Sequence, residues 1–431
     1  MLLVGTCHAV SVKGSNVSSP PPERTPTAAS GTTPAPARRF GRRAVLGAAL
    51  GAGVLGTGVL GATASGGASA AQRAPGAAAR TRRSAAETRL AYLGTYGRGI
   101  ITCTYDTATG ALTETSAFGD ITDPDFLALG TSGDVLYALH NGAEEGAVRA
   151  FTIGAEGKLS PLGEAQSTGG ANVTHLSVHP AGGHLLSANY GAGSVAVHPI
   201  AADGTLGART ALVQHEGSGP DPRQEGPHAH QIITDPDGAY VFAVDLGTDR
   251  VYTYGLDTDS GALEPLSEAE AAPGAGPRHM VFHPAEPYAY VANELDSTVT
   301  AYAYDASTGA LTPGETWPTL PDGEDPGTRN YPSEVAVSAD GRYLYLANRG
   351  HDSVAWFAVE DGGAALSIAG TVPCGGTWPR HISLSPSGAV LFSGNQNSNN
   401  VGIFNVDPDN GAPTASGDPF ATASLGCVLP T

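Results

Sequence analysis

Lysine is almost missing from this 431-residue chain: only Lys13 and Lys158 occur, and acids outnumber lysine plus arginine 41 to 22. A formal net charge of −19 without a broad basic surface argues against nucleic acid or an anionic membrane as partner. Cysteine is scarce too, with four residues, and no C-x-x-C or mixed His/Cys cluster points to a structural metal; no cofactor is expected. Charged residues make up only 15%, whereas there are 59 glycines and 32 prolines. That balance belongs to a turn-rich, soluble, all-β chain rather than a helical one.

Residues 1–71 read as an address. Arg42-Arg43 precedes a weakly apolar Gly/Ala run over 44–64, and Ala68-Ser69-Ala70 is a small-residue cleavage site. A twin arginine before a soft apolar run suggests twin-arginine export and an extracytoplasmic or secreted product. The alternative is an uncleaved membrane anchor, since 21 residues can span a bilayer. Residues 72–89 read as a disordered linker and 90–431 as the folded domain. Cleavage would also remove Cys7, leaving Cys103, Cys374 and Cys427, enough for one disulfide at most. Whether Cys374 and Cys427 pair stays open at this level.

What the chain has in plenty is repetition. A hydrophobic strand ending in Asn or Asp recurs as Leu-Ser-Ala-Asn (186–189), Phe-Ala-Val-Asp (242–245), Tyr-Val-Ala-Asn (290–293), Tyr-Leu-Ala-Asn (345–348) and Phe-Ser-Gly-Asn (392–395), with weaker copies ending at Thr95 and His140. A period of 45–56 residues with four strands per unit (a to d) predicts a seven-bladed β-propeller of antiparallel blades. In the sixth unit the strands are expected at 334–337, 343–348, 354–359 and 366–372. Turns such as Asp235-Pro-Asp-Gly238 link a to b, and turns such as Asp257-Thr-Asp-Ser-Gly261 link c to d. The first unit opens at strand b (90–95), and the last is followed by a surplus apolar stretch, 423–429. That stretch is expected to supply strand a of the first blade and so close the ring. The ring is read as a monomer.

Alternating strand direction puts the d–a and b–c loops on one face. There the ordinary turn residues give way to Pro227-His-Ala-His230, Pro277-Arg-His279 and Pro379-Arg-His381 before strand a, and to Asn189-Tyr190, Asn293-Glu294, Asn348-Arg349 and Asn395-Gln396 after strand b. The long Gly/Pro-rich loop 215–230 brings Arg223 and Gln224 to the same mouth. Arginine can hold a carboxylate, a phosphate or a developing oxyanion, while Glu or His can move a proton. The candidate catalytic residues are therefore His228, His230, Arg278, Glu294 and Arg349. Guanidinium neighbours are expected to hold Glu294 below the usual carboxylate range, which makes His228 or His230 the better base. Arg223, Gln224, Asn189, Asp245, Arg380 and Asn395 are candidate substrate contacts, although such asparagines also tie neighbouring blades and Asp245 can order its own loop.

The string Arg-Gln-Glu-Gly-Pro-His-Ala-His (223–230), with Asp-Leu-Gly-Thr-Asp-Arg-Val (245–251), Gly-Pro-Arg-His (276–279), Asn-Glu-Leu (293–295) and Asn-Arg-Gly-His-Asp-Ser (348–353), resembles the seven-bladed lactonase family. That family includes propeller-type 6-phosphogluconolactonases and carboxy-muconate lactonising enzymes. The resemblance covers about 90–431. It implies a metal-independent opening of a sugar lactone, with a His, two Arg and a Glu falling on His230 or His228, Arg278, Arg349 and Glu294. Export fits poorly with a cytoplasmic phosphosugar lactone as substrate. Two other readings therefore stay open: an extracytoplasmic ligand-binding propeller without catalysis, and a muconate-type cycloisomerase.

Overall fold

The computed structural model describes residues 87–142, 145–324 and 329–431. The expected export segment and all but the last three residues of the expected linker lie outside them.

Seven antiparallel sheets follow one another along the chain, each with four strands in order a to d. The sheet containing the sixth repeat is typical: Tyr331–Val337, Tyr343–Arg349, Ser353–Glu360 and Ala365–Pro373. The observed strands exceed the expected ones by one to three residues at their ends, because backbone pairing outlasts the apolar alternation visible in the sequence. The outer strand of the last blade is broken into Pro413–Ala415 and Phe420–Ala421, both paired to Asn400–Val406.

Ring closure occurs as expected. Leu425–Pro430 pairs antiparallel with Thr88–Thr95, so the chain's two ends share one blade. Strand b of that blade starts at Thr88 and so takes in the last two residues of the stretch read as linker.

Burial is deepest in strand b and falls off toward the outer strand d. Val390–Asn395, a strand b, is buried throughout, whereas Leu263–Glu270, a strand d, is mostly exposed. Among the described residues, an apolar cluster fills each of the seven spaces between neighbouring blades. Each fully buried Phe or Tyr, such as Phe392 or Phe357, contributes about 1.5–3 kcal/mol through its removal from water. Tyrosines of strand b add a directional latch. The hydroxyls of Tyr137, Tyr290 and Tyr345 donate to the carbonyls of Gly204, Gly363 and Gly411 in the c–d turn of the next blade. Glycine is needed at such turns: Gly309 has φ +73°, and a Cβ there would stand 2.6 Å from the Tyr240 ring of the preceding blade.

Cys103, Cys374 and Cys427 are all free and buried. The disulfide that three cysteines would allow is therefore not formed among the described residues.

Candidate active site

The mouth is built from two recurring positions. The first is the residue that follows the end position of the repeat (95, 140, 189, 293 and 348), at or just past the end of strand b: Tyr96, Asn141, Tyr190, Glu294 and Arg349 all line one cavity of about 350 Å³. The second is a β-bulge near the start of strand a. Pairing with strand b slips by one residue at Thr174, His230, Arg278 and Arg380. A bulge inserts an extra residue and re-aims its side chain. Thr174, His230 and Arg380 thereby line the cavity, while Arg278 lies buried beside it against Glu294.

Glu294 is the electrostatic centre. Its Oε1 is 2.5 Å from Nη1 of Arg223, and its Oε2 is 3.0 Å from Nε of Arg278 and 2.6 Å from Nη2 of Arg349. Burial works to raise this carboxyl, but Arg349, Arg278 and Arg223 outweigh it and hold it at about 2. Glu294 is thus a permanent anion at neutral pH and a poor proton carrier. Burial, aided by Arg349 and Arg380, brings the Arg278 guanidinium down to about 9, which leaves it charged at pH 7. Arg278 also donates to the Ser333 carbonyl, and Arg349 to the carbonyls of Tyr331 and Pro332. Of the Arg349 nitrogens, only Nη1 is without a protein acceptor among the described residues. Arg223 is 40% exposed, with its guanidinium over the Tyr331 ring.

A second pair faces this cluster. Arg380 lies 3.4 Å from Asp125, whose carboxylate also accepts from the Tyr96 hydroxyl at 2.7 Å and from Asn141 at 3.3 Å. Burial pushes the Asp125 carboxyl upward, against the pull of Arg380. Tyr96, Asp125, Asn141 and Thr174 did not emerge from the sequence. Tyr96 and Asn141 follow the two weak copies of the repeat, and Asp125 and Thr174 are ordinary polar residues ahead of strand a or at its start. Aligning the strand-b exits would have found Tyr96 and Asn141.

Beneath the cavity lies an aromatic floor. Phe126, His175, His230, His279 and His381 contact one another, with ring centroids 4.2–6.1 Å apart. Nδ1 of His230 is 3.1 Å from Nε2 of His279, whose Nδ1 is 2.9 Å from Glu334. Burial, with nearby cationic groups, holds His175, His230 and His279 well below the usual histidine value, so these rings are neutral at pH 7. His230 lines the cavity, and its Nε2 has no protein partner among the described residues.

The structure thus brings together His230, Glu294, Arg349, Arg223 and Arg380 around one cavity, with Arg278 directly behind. Other candidates are bonded into the scaffold instead. His228 stacks on Tyr190 at 4.5 Å and donates from Nδ1 to the Tyr190 carbonyl, so it backs the cavity wall rather than lining it. Asp245 is fully buried; it accepts from the backbone N–H of His228, Gly247 and Thr248 and is 2.6 Å from His215. Gln224 is fully buried as well and donates to the Leu246 carbonyl and Asp249. These two residues fold the 215–230 loop that carries Arg223 over Glu294. Asn189 and Asn395, at the ends of their strands, donate to the Thr168 and Cys374 carbonyls just past strand d of the preceding blade. Strand alternation explains the difference: the last residue of strand b turns into the blade, and the next turns into the mouth.

A family model for the 7-bladed β-propeller lactonases matches residues 90–430. The chain is 37% identical over 296 residues to a 6-phosphogluconolactonase of Bacillus subtilis, a match spanning 68% of this chain and 83% of the relative. Among solved structures, a protein from Lactobacillus plantarum aligns with a TM-score of 0.75 at 32% identity, over 80% of this chain and 99% of that one. The periplasmic gluconolactonase of Pseudomonas aeruginosa aligns with a TM-score of 0.74 at 27% identity, over 79% of this chain and 98% of that one.

Proposed function

Because the chain belongs to the seven-bladed β-propeller lactonase family, we propose that it hydrolyses a sugar lactone, in the manner of 6-phosphogluconolactonase, at the cavity around His230. The carrying observation is that a neutral histidine lines the cavity with Nε2 unpartnered, opposite guanidinium groups held by Glu294. Nε2 takes a proton from water as the water oxygen attacks the lactone carbonyl. The carbonyl oxygen becomes an oxyanion facing Nη1 of Arg349, a charge-assisted donor. Collapse of the tetrahedral intermediate breaks the ring C–O bond, and the imidazolium returns its proton to the departing alkoxide. The product is an open-chain hydroxy acid.

Glu294 keeps its charge throughout; its role is to hold Arg223, Arg278 and Arg349 in place. Arg223 and Arg380 keep some exposure to the cavity, and they supply contacts to a second anionic group of the substrate, such as a phosphate. The protein acts as a monomer, without a cofactor. The periplasmic location in the name of the Pseudomonas relative supports the reading of residues 1–71 as an export signal joined to the domain by a linker over 72–89.

The test is a panel of lactones with and without a phosphate, followed by acid release with a pH indicator. Turnover of a sugar lactone is expected. Binding without acid release would instead favour a ligand-binding propeller, and loss of muconate absorbance would favour a cycloisomerase. Mass spectrometry of the protein recovered outside the cytoplasm tests the signal: a chain beginning near residue 71 is expected, and an intact N-terminus would contradict it.

A further inference from the structure

Glu334 is a buried carboxylate under the cavity floor, and the proposed reaction does not touch it. Its surroundings are nevertheless all donors. The Val335 N–H donates to Oε1 at 3.2 Å. The Val428 N–H, on the strand that closes the ring, donates to Nδ1 of His381 at 3.4 Å. That bond makes Nδ1 of His381 an acceptor and leaves its proton on Nε2, which lies 3.4 Å from Oε2 of Glu334. The third neighbour is Nδ1 of His279, 2.9 and 3.0 Å from the two oxygens. The Arg278 charge also favours the ionised form, opposing the burial that raises this carboxyl. An anion in this setting accepts from His279, so the single proton of that neutral ring sits on Nδ1. Its Nε2 is then an acceptor, and Nδ1 of His230, 3.1 Å away, must be the donor.

We propose that Glu334 and His279 are positioning residues that fix His230 as its Nδ1–H tautomer, so that the Nε2 lone pair faces the cavity. The inference rests on the reading of His230 as the base. The relay crosses three blades: Glu334 comes from the sixth, His279 from the fifth and His230 from the fourth. His381 of the seventh blade and Val428 of the first hold its far end. It explains why these buried polar side chains stand in a row, where each would be costly unless bonded. It also gives ring closure a functional consequence, since the closing strand sets the tautomer of His381.

Two measurements on the folded protein test the proposal. The first is the tautomer of His230 from ¹⁵N-histidine spectra at neutral pH, assigned with the His230→Asn variant. Nδ1–H is expected in the wild type, and an Nε2–H signal would overturn the proposal whatever the activity. The second is Glu334→Gln, nearly isosteric with the native residue. A tautomer error in a comparable histidine system lowers kcat about 10⁴-fold; here a fall of at least about 10²-fold is expected, with KM changed less than about threefold. A variant that keeps wild-type kcat would overturn the proposal. If the wild type hydrolyses no lactone yet shows the Nδ1–H signal, the reaction assignment falls and the positioning claim stands.

Discussion

Nε of Arg278 lies 3.0 Å from Oε2 of Glu294, and both side chains are buried almost completely. With Arg223 and Arg349 on the same carboxylate, one anion holds three cations. Removing it leaves buried charges uncompensated. Glu294→Gln is expected to lose about 3–5 kcal/mol in urea unfolding; unchanged stability would show that the cluster is held by something else.

The same carboxylate gives a pH signature. Its pKa is about 2 in the fold against an ordinary 4.5. A depressed folded value means that the stabilisation is fully present above about pH 4.5 and is lost as pH falls through about 2. Its size is about 3 kcal/mol. The stability gap between wild type and Glu294→Gln should therefore narrow across that window; a gap independent of pH would contradict the assignment. Asp125 and Glu334, both raised by burial, act in the opposite sense in the wild type, so the comparison with the variant is the informative one.

Arg223 is a different case, because it is 40% exposed and sits on a loop. Arg223→Ala is expected to raise KM for an anionic lactone about tenfold, the loss of one charge-assisted contact, while leaving thermal stability nearly unchanged. A pure kcat loss with KM intact would mean that this arginine acts on the reacting carbonyl instead.

Burial pushes the thiols of Cys103 and Cys374 up to about 12, and that of Cys427 in the same direction. A chain starting at residue 71 should show no thiol reactive to Ellman's reagent while folded and three after denaturation without reductant. One reactive thiol after denaturation would indicate a disulfide.

Deleting residues 422–431 removes the strand Leu425–Pro430 and exposes the edge of Thr88–Thr95. The truncated chain should be cleaved much faster in limited proteolysis than the full domain. Equal resistance would contradict closure as a source of stability.

Much of this was legible in the sequence. Seven strand-b endings gave the blade count, and the missing strand before 90 together with the surplus after 422 gave the closure. Glu294 and Arg349 were legible because each follows a strand-b asparagine. Other parts were not, for physical reasons. A bulge leaves no residue signature, so His230 and His228 looked equivalent although only the first is re-aimed into the cavity. Asp245 and Gln224 carry the chemistry of ligand contacts but spend it on backbone N–H and carbonyl groups of their own loop. Asp125 became visible only when the ring brought blade 2 against Arg380. The row from Glu334 to His230 joins residues 104 positions apart, and no periodicity predicts which of them touch.

The central claim is that His230 carries the proton in lactone opening. The most direct measurement is kcat for a sugar lactone with wild type and His230→Asn, whose side-chain amide can still donate to His279 in place of Nδ1 and so preserves the contact beneath. A fall of at least about 10²-fold in kcat with the fold intact is expected; turnover at the wild-type rate would contradict the account.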